Sequence, residues 1–324
     1  MQAVVVEQPG GPEVLVAQER PTPEPGPGEL LVRTAAAGVN FIDVYQRSGY
    51  YPLPLPFVAG SEGAGEVLAT GEGVEGVAAG DVVAWAMVNG AGYAGEVLVP
   101  ADRAVPVPAG VAPEDAAAVM LQGMTAHYLT TASYVVRPGD TVLVHAAAGG
   151  LGLLLTQVVV RAGGRVIGTA STPGKADLAR GAGAAEVVDY SSADVVAEVR
   201  RLTDGRGVDC VYDGVGAATF DASLDCLRPR GTMVLVGAAS GKVPPFDPQQ
   251  LGAKGSLFLT RPSLAHHVAD REELLQRGGD VLGWVAAGDL RLTVGGRYPL
   301  ADARRAHEDL EARRTTGKLL LLPG

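Results

Sequence analysis

Thr141-Val142-Leu143-Val144-His145-Ala146-Ala147-Ala148-Gly149-Gly150-Leu151-Gly152 runs from an apolar, strand-like stretch into a turn of small residues. A long apolar helical segment, Leu153 to Ala162, follows at once. Strand, glycine turn and helix form the unit that places a phosphate on a helix N-terminus. Gly149 and Gly150 let the backbone turn tightly and approach a pyrophosphate, and Gly152 lets the helix pack close to the strand. Ala147 sits where the first glycine of a G-x-G-x-x-G pattern is expected. The altered pattern is compatible with an ordinary strand-to-helix connection as well as with a dinucleotide turn.

The next segment favours the dinucleotide. Gly164–Ser171 reads as a second strand. A binder of the unphosphorylated dinucleotide places Asp or Glu at the end of this strand, about 20 residues past the first glycine, to hold the ribose hydroxyls. Here that end offers Ser171, Thr172 and Lys175, and the nearest acid, Asp177, comes too late. Hydroxyls with a cation suit a 2′-phosphate, so NADP(H) is expected over NAD(H). Lys175 could also be a solvated side chain at a helix start, although it is one of only four lysines in the chain.

Further strands are expected at Glu186–Tyr190, Val208–Asp213, Gly231–Gly237 and Gly255–Thr260, with helical stretches such as Lys175–Gly181 and Ala193–Leu202 between most of them. Alternation of this kind implies an α/β fold with a parallel sheet covered on both faces. Six strands fit the doubly wound Rossmann order, in which ligands bind outside the carboxyl ends of the strands. The candidate cofactor residues there are Ala148, Gly149, Gly150, Leu151, Gly152, Ser171, Thr172, Lys175, Tyr190, Gly214, Gly237 and Ser240. The sixth strand is apolar on both faces and falls at a sheet edge, a geometry that invites pairing with a second chain.

The flanking sequence has another texture. Short alternating runs at Ala3–Val6, Glu29–Thr34, Gly63–Ala69, Asp81–Ala86 and Gly95–Val99 are separated by Pro- and Gly-rich turns. They predict a mostly-β domain. Pro113–Ala132 reads as a helix leading into the first parallel strand. After Pro262 come two predicted helices, Arg271–Ala287 and Leu300–Arg314, and two short strands, Arg297–Leu300 and Gly317–Leu322. That tail is too small for a domain and is expected to complete the N-terminal one. The expected division is 1–121 with 262–324, and 122–261.

Composition narrows the function. A hydrophobic content of 47% over 324 residues supports ample core. No apolar run reaches the ~18 residues that span a bilayer, and Met1–Glu7 has no basic start or apolar core of a secretory signal. The net charge of −10 disfavours nucleic acid and anionic membrane as main partners. The two cysteines, Cys210 and Cys226, lie in apolar surroundings and are expected to be reduced and buried, in a cytoplasmic protein.

Five stretches together resemble one family from end to end. They are Gly10-Gly11-Pro12-Glu13-Val14-Leu15, Gly38 to Gly49 (GVNFIDVYQRSG), His145 to Gly152, Tyr212-Asp213-Gly214-Val215-Gly216, and Thr260-Arg261-Pro262-Ser263-Leu264. The chain is similar to the zinc-independent NADPH:quinone oxidoreductases, the zeta-crystallin-like branch of the medium-chain dehydrogenases/reductases. The resemblance implies a GroES-like β-rich catalytic domain beside the Rossmann domain, NADPH as cofactor, and metal-free hydride transfer to a quinone. Related activities are reduction of activated alkenes such as enones and enoyl thioesters, or NADPH binding without catalysis. It also implies a homodimer joined through the Rossmann edge strand.

Zinc-dependent relatives place Cys where Asn40 stands, a His-Glu pair where Ser61-Glu62 stands, and a four-cysteine loop where Asn89–Gly95 runs into the next strand. With two cysteines, both in the other domain, no Cys-rich zinc site can be built. The catalytic candidates are therefore polar: the Asn40 amide and the hydroxyls of Tyr45 and Tyr51, as donors to a developing oxyanion. The family implies that Asn40 and Thr125 lie near the nicotinamide, that Lys175 and Tyr190 flank the 2′-phosphate, and that Arg261 and Arg313 reach toward the cofactor. Asp43 is expected only to orient its neighbours. Gly214 stands where close relatives often have Ser, and Val236 and Ala239 where an aromatic residue and a Ser are common.

Overall fold

The computed structural model describes residues 1–324 as two compact units, Met1–Met124 with His267–Gly324, and Thr125–His266. The first unit is built on strands β1 (Gln2–Val6), β2 (Val16–Glu19), β3 (Glu29–Val39), β4 (Phe57–Val58), β5 (Glu62–Thr70), β6 (Val82–Ala86), β7 (Glu96–Pro100) and β8 (Val105–Pro106). One helix, α1 (Phe41–Arg47), interrupts them, and α2 (Pro113–Tyr128) follows. β3 is the spine. Its buried residues Leu30, Leu31, Val32, Ala36, Ala37 and Val39 pack on both sides, and it pairs antiparallel with β5 and β7. Trp85 on β6 is fully buried in the cluster around Leu30, Val32, Val67 and Val83.

The second unit holds β9 (Thr141–Val144), α3 (Gly150–Arg161), β10 (Arg165–Ala170), α4 (Pro173–Gly181), β11 (Glu186–Asp189), α5 (Val195–Leu202), β12 (Val208–Asp213), α6 (Phe220–Cys226), β13 (Leu227–Leu235), α7 (Gln249–Ala253) and β14 (Phe258–Thr260). Its sheet has the order β11-β10-β9-β12-β13-β14, parallel throughout. This is the doubly wound order, whose strand sequence reverses between β9 and β12. All residues of β9 and β12 are buried, as both faces carry helices. Leu143, Ile167, Val211, Phe220, Leu224 and Met233 form its core.

The chain then passes through α8 (Leu264–His267) to α9 (Arg271–Ala286), β15 (Val294–Pro299), α10 (Ala303–Glu311) and β16 (Lys318–Leu322). β16 pairs antiparallel with β3 through Leu319↔Val39 and Leu321↔Ala37, which puts the C-terminus into the N-terminal sheet.

Some elements differ from the sequence expectation. The sixth parallel strand is three residues, not six, because Gly255 and Ser256 take left-handed backbone conformations (φ +116° and +57°) that no strand admits. The fifth strand starts four residues early, at Leu227. α1 was hidden because its seven residues lie directly behind a strand and bury Asp43, Gln46 and Arg47, polar residues that blur the apolar period.

Candidate active site

The first unit contains a buried polar cluster centred on Asn40, the N-cap of α1. The Oδ1 of Asn40 accepts from Lys318 Nζ (2.9 Å) and Gln122 Nε2 (3.1 Å). Its Nδ2 donates to Glu62 Oε2 (2.7 Å) and, more weakly, to the Gly38 carbonyl (3.4 Å). Lys318 also forms an ion pair with Glu62 Oε2, and the backbone N–H of Leu121 donates to Glu62 Oε1. Glu62 is 0% and Lys318 3% exposed. Gly38 makes room for the pair, since a Cβ there would overlap Glu62 Oε2 and Lys318 Cε. Gln122 Oε1 is buried without a hydrogen-bond partner.

A second chain of buried groups holds Asn40 from behind. Asp43 Oδ2 accepts from the Asn40 backbone N–H (2.8 Å) and from Tyr93 Oη (3.2 Å), and Asp43 Oδ1 lies 3.1 Å from Ser61 Oγ, accepting from it when ionised and donating to it when protonated. Tyr93 Oη lies 2.9 Å from His307 Nε2, and His307 Nδ1 lies 3.2 Å from Arg47 Nη1. Guanidinium can only donate, so Nδ1 is the acceptor and Nε2 carries the proton. Arg47 ends the chain in a two-pronged ion pair with Glu311 (2.8 and 3.1 Å). Burial pushes Asp43 up to about 7. Burial, then the Arg47 charge, pushes His307 down to about 3. Burial raises the Tyr93 hydroxyl well above its ordinary value.

α1 and the loop after it carry an aromatic group. Tyr45 packs at 5.2 Å from Tyr50 and 5.5 Å from Tyr51, and Tyr50 at 4.9 Å from Tyr51. The Tyr51 N–H donates to the Tyr45 carbonyl (3.0 Å), which closes the loop on the helix. Tyr50 and Tyr51 are 40% and 39% exposed, too open for core rings.

In the second unit, α3 is preceded by Gly149 as its N-cap, with no side-chain cap, leaving its first N–H groups directed outward at the carboxyl end of β9. Ala146 takes φ +51°, and a Cβ at Gly152 would overlap the Ala146 carbonyl oxygen. The turn is thus a narrow cradle of amides, the donor set that fits a pyrophosphate. Ala148, Gly149, Gly150, Leu151 and Gly152 line it. Ser171, Thr172, Lys175 and Tyr190 gather where β10 and β11 end. Ala170 pairs with Asp189, and the Tyr190 N–H donates to the Ala170 carbonyl (3.1 Å). Thr172 Oγ1 also caps α4 by accepting from the Lys175 N–H (3.3 Å). No Asp or Glu stands at the end of β10, and the Asp189 carboxylate faces Ser191 (2.9 and 2.6 Å). Hydroxyls and an ammonium suit a phosphate ester.

Gly214, Gly237 and Ser240 meet beyond β12 and β13. A Cβ at Gly237 would stand 2.6 Å from the Gly214 carbonyl oxygen. Ser240 Oγ donates to the Val215 carbonyl (2.8 Å) and accepts from the Ala218 N–H (3.0 Å). Arg261 Nη1 donates to the Val236 carbonyl (2.7 Å). Thr125 is buried in α2, and Arg313 is exposed in the turn after α10 at φ +57°.

Two networks escaped the sequence reading. One is the Glu62–Lys318–Gln122 set with the His307 chain. The other locks the reversal point of the parallel sheet. Ser223 Oγ donates to Asp213 Oδ2 (2.8 Å), so it accepts from His145 Nε2 (3.0 Å), and His145 Nδ1 accepts from Thr169 Oγ1 (3.2 Å). Burial lowers His145, keeping it neutral. Asp213 also receives the N–H groups of Val215 and Gly216 (2.8 and 2.9 Å). The available signal was His145 and Asp213 standing at the ends of two buried strands.

Residues 26–109 match the alcohol dehydrogenase GroES-like domain, and residues 150–275 match the family described as zinc-binding dehydrogenase. A quinone oxidoreductase of Pseudomonas aeruginosa is 47% identical over 315 residues, 97% of each chain. The chain belongs to the zinc-independent quinone oxidoreductases of the medium-chain dehydrogenase/reductase superfamily. A 2-haloacrylate reductase of Burkholderia sp. is 41% identical, with 99% of this chain and 98% of that one covered. The crystal structure of Escherichia coli quinone oxidoreductase complexed with NADPH superposes with a TM-score of 0.98 at 42% identity, covering 100% of both chains. No three His, Cys, Asp or Glu side chains converge as a metal ligand set. No helix is long and apolar enough to cross a membrane.

Proposed function

We propose that this protein is an NADPH-dependent quinone oxidoreductase that reduces its substrate by direct hydride transfer without a metal. The observation that carries the reading is the Asn40 position. A buried lysine–glutamate pair fills it, so an electron-poor carbonyl must be activated by polar side chains alone. NADPH supplies the hydride when bound.

The unit Thr125–His266 binds the cofactor. The amides of Ala148 to Gly152 hold the pyrophosphate, and Ser171, Thr172, Lys175 and Tyr190 hold the 2′-phosphate. Gly214, Gly237, Ser240 and Arg261 line the path between. The backbone of Gly214 and Gly237 makes its contacts there, since neither has a side chain. The unit Met1–Met124 with His267–Gly324 binds the substrate. Asn40, together with Thr125 and Arg313, is a further cofactor contact. All four hydrogen-bonding positions of its amide are engaged within the cluster. The donor role at the substrate oxygen therefore falls to the hydroxyls of Tyr45 and Tyr51. The rings of Tyr45, Tyr50 and Tyr51 offer a surface on which a flat conjugated carbonyl can lie.

Similarity to a 2-haloacrylate reductase favours activated alkenes as a second substrate class. Both classes accept hydride at an electron-poor carbon conjugated to a carbonyl. NADPH oxidation with a panel of quinones and a panel of enones and haloacrylates tests the reading. Turnover with quinones, and none with NADH at equal concentration, is expected. Turnover with neither panel would refute it.

The same reading extends to assembly and location. β14 closes one edge of the parallel sheet, and its Phe258 is 62% exposed. A two-fold dimer joining two sheets through this strand would cover both the edge and the ring. Two buried free thiols, Cys210 and Cys226, suit the cytoplasm.

A further inference from the structure

Asn40 stands where zinc-dependent relatives carry Cys, and Ser61-Glu62 where they carry a His-Glu pair; here an ammonium contacts both Asn40 and Glu62. Lys318 reaches this point because β16 pairs with β3 one residue away, Leu319 against Val39. Burying two charges costs several kcal/mol per ion, and an apolar pair of equal volume is often as stable or more so. The ion pair is therefore poor evidence of a purely structural role. Its contacts suggest another. An amide's oxygen and nitrogen ends are nearly alike in shape, so packing alone leaves Asn40 free to flip. Lys318 Nζ at Oδ1 (2.9 Å) and Glu62 Oε2 at Nδ2 (2.7 Å) remove the choice. A flipped amide would set NH₂ against the ammonium and oxygen against the carboxylate. The ammonium is also felt at Asp43, where it opposes the effect of burial. Asp43 in turn holds the Asn40 backbone N–H at the start of α1, the helix that bears Tyr45.

We propose that Lys318 is the resident cation of this site, a positioning residue that fixes the Asn40 amide in one orientation through its charge. Asn40's place beside the nicotinamide rests on the quinone reductase reading, but the cation site itself does not. The test uses both levels. Lys318→Ala removes the ammonium and most of the stem, and propylammonium chloride can refill the space. 1-Propanol fills it without charge, and sodium chloride controls for ionic strength. In the apoprotein, the melting temperature of Lys318→Ala should rise saturably with propylammonium and not with the two controls, while the wild type is unmoved. Over the same concentrations kcat for quinone reduction should recover. Lys318→Met with Glu62→Gln keeps the volume and removes both charges, and it serves if Lys318→Ala does not fold. That pair should fold and turn over at least about tenfold more slowly, with the KM for quinone changed by less than about twofold. Equal melting shifts with 1-propanol, or wild-type kcat in the neutral pair, would overturn the proposal. A melting shift specific to propylammonium without any quinone turnover in the wild type would instead refute the reductase reading and leave the cation site standing.

Discussion

Folding should move one proton from His307 to Asp43. Asp43 is raised from 3.8 to about 7, and His307 is lowered from 6.5 to about 3. Between about pH 4 and 6.5 the unfolded chain holds its proton on the histidine and the folded chain holds it on the aspartate. Each group alone would tilt stability with pH. Asp43 has its folded value above its unfolded one, so its contribution is full below the unfolded value and is lost as pH rises through about 7. His307 has its folded value below its unfolded one, so its contribution is present above 6.5 and is lost as pH falls toward about 3. The spans are roughly 3 and 3.5 units, on the order of 4 and 5 kcal/mol at 1.36 kcal/mol per unit. In the wild type the two slopes cancel across the shared window. Asp43→Asn keeps a neutral side chain and removes one slope. Its stability relative to wild type should rise with pH by about 1.4 kcal/mol per unit from pH 4 to 6.5. His307→Gln should do the opposite and fall by a similar amount over the same range. Urea unfolding of the apoprotein at half-unit pH steps measures both. If both variants run parallel to wild type, the two groups do not exchange a proton on folding, and the account of burial as the dominant cause is wrong.

Lys175→Ala should cost about 1.5–3 kcal/mol of NADPH affinity, the scale of a hydrogen bond to a charged group, with NADH binding little changed; fluorescence titration of both nucleotides checks it, and equal losses for the two would sink it. Tyr51→Phe should lower kcat more than it raises KM for quinone, by at most ~2.7–4 kcal/mol and less in a wet site. Wild-type turnover in steady-state assays would return the donor role to Tyr45 or solvent. Phe258→Glu should leave melting of the chain nearly unchanged and shift the sedimentation mass from dimer to monomer at micromolar concentration; a wild-type monomer would dispose of the edge-strand dimer. Prolonged dialysis against a chelator should leave quinone reduction intact, and loss of activity restored by zinc would contradict the metal-free reading.

What could be read from the chain alone was local. The strand, turn and helix from Thr141 to Ala162 were legible because a strand's period, a glycine turn and a helix's period are all written within about 20 residues. The same holds for the alternation of β10 to β13 with the helices between them. Short polar elements were less legible. α1 and the early start of β13 carry too little apolar period, and β14 lost half its expected length to two left-handed residues that no pattern announces. Beyond Asn40 and Asp43, the cluster around Asn40 was out of reach of such reading. Glu62 is 22 residues from Asn40, Lys318 is 278 away, and His307 is 260 from Arg47. Lys318 meets Asn40 because the antiparallel register of β16 on β3 sets it there, and a slip of one residue would turn it to the other face of the sheet. Side-chain charge is a property of the residue, but the burial that neutralises Asp43 and His307, and the pairing that retains Glu62 and Lys318, belong to the packed fold. They arise only when segments remote in sequence exclude water from one another.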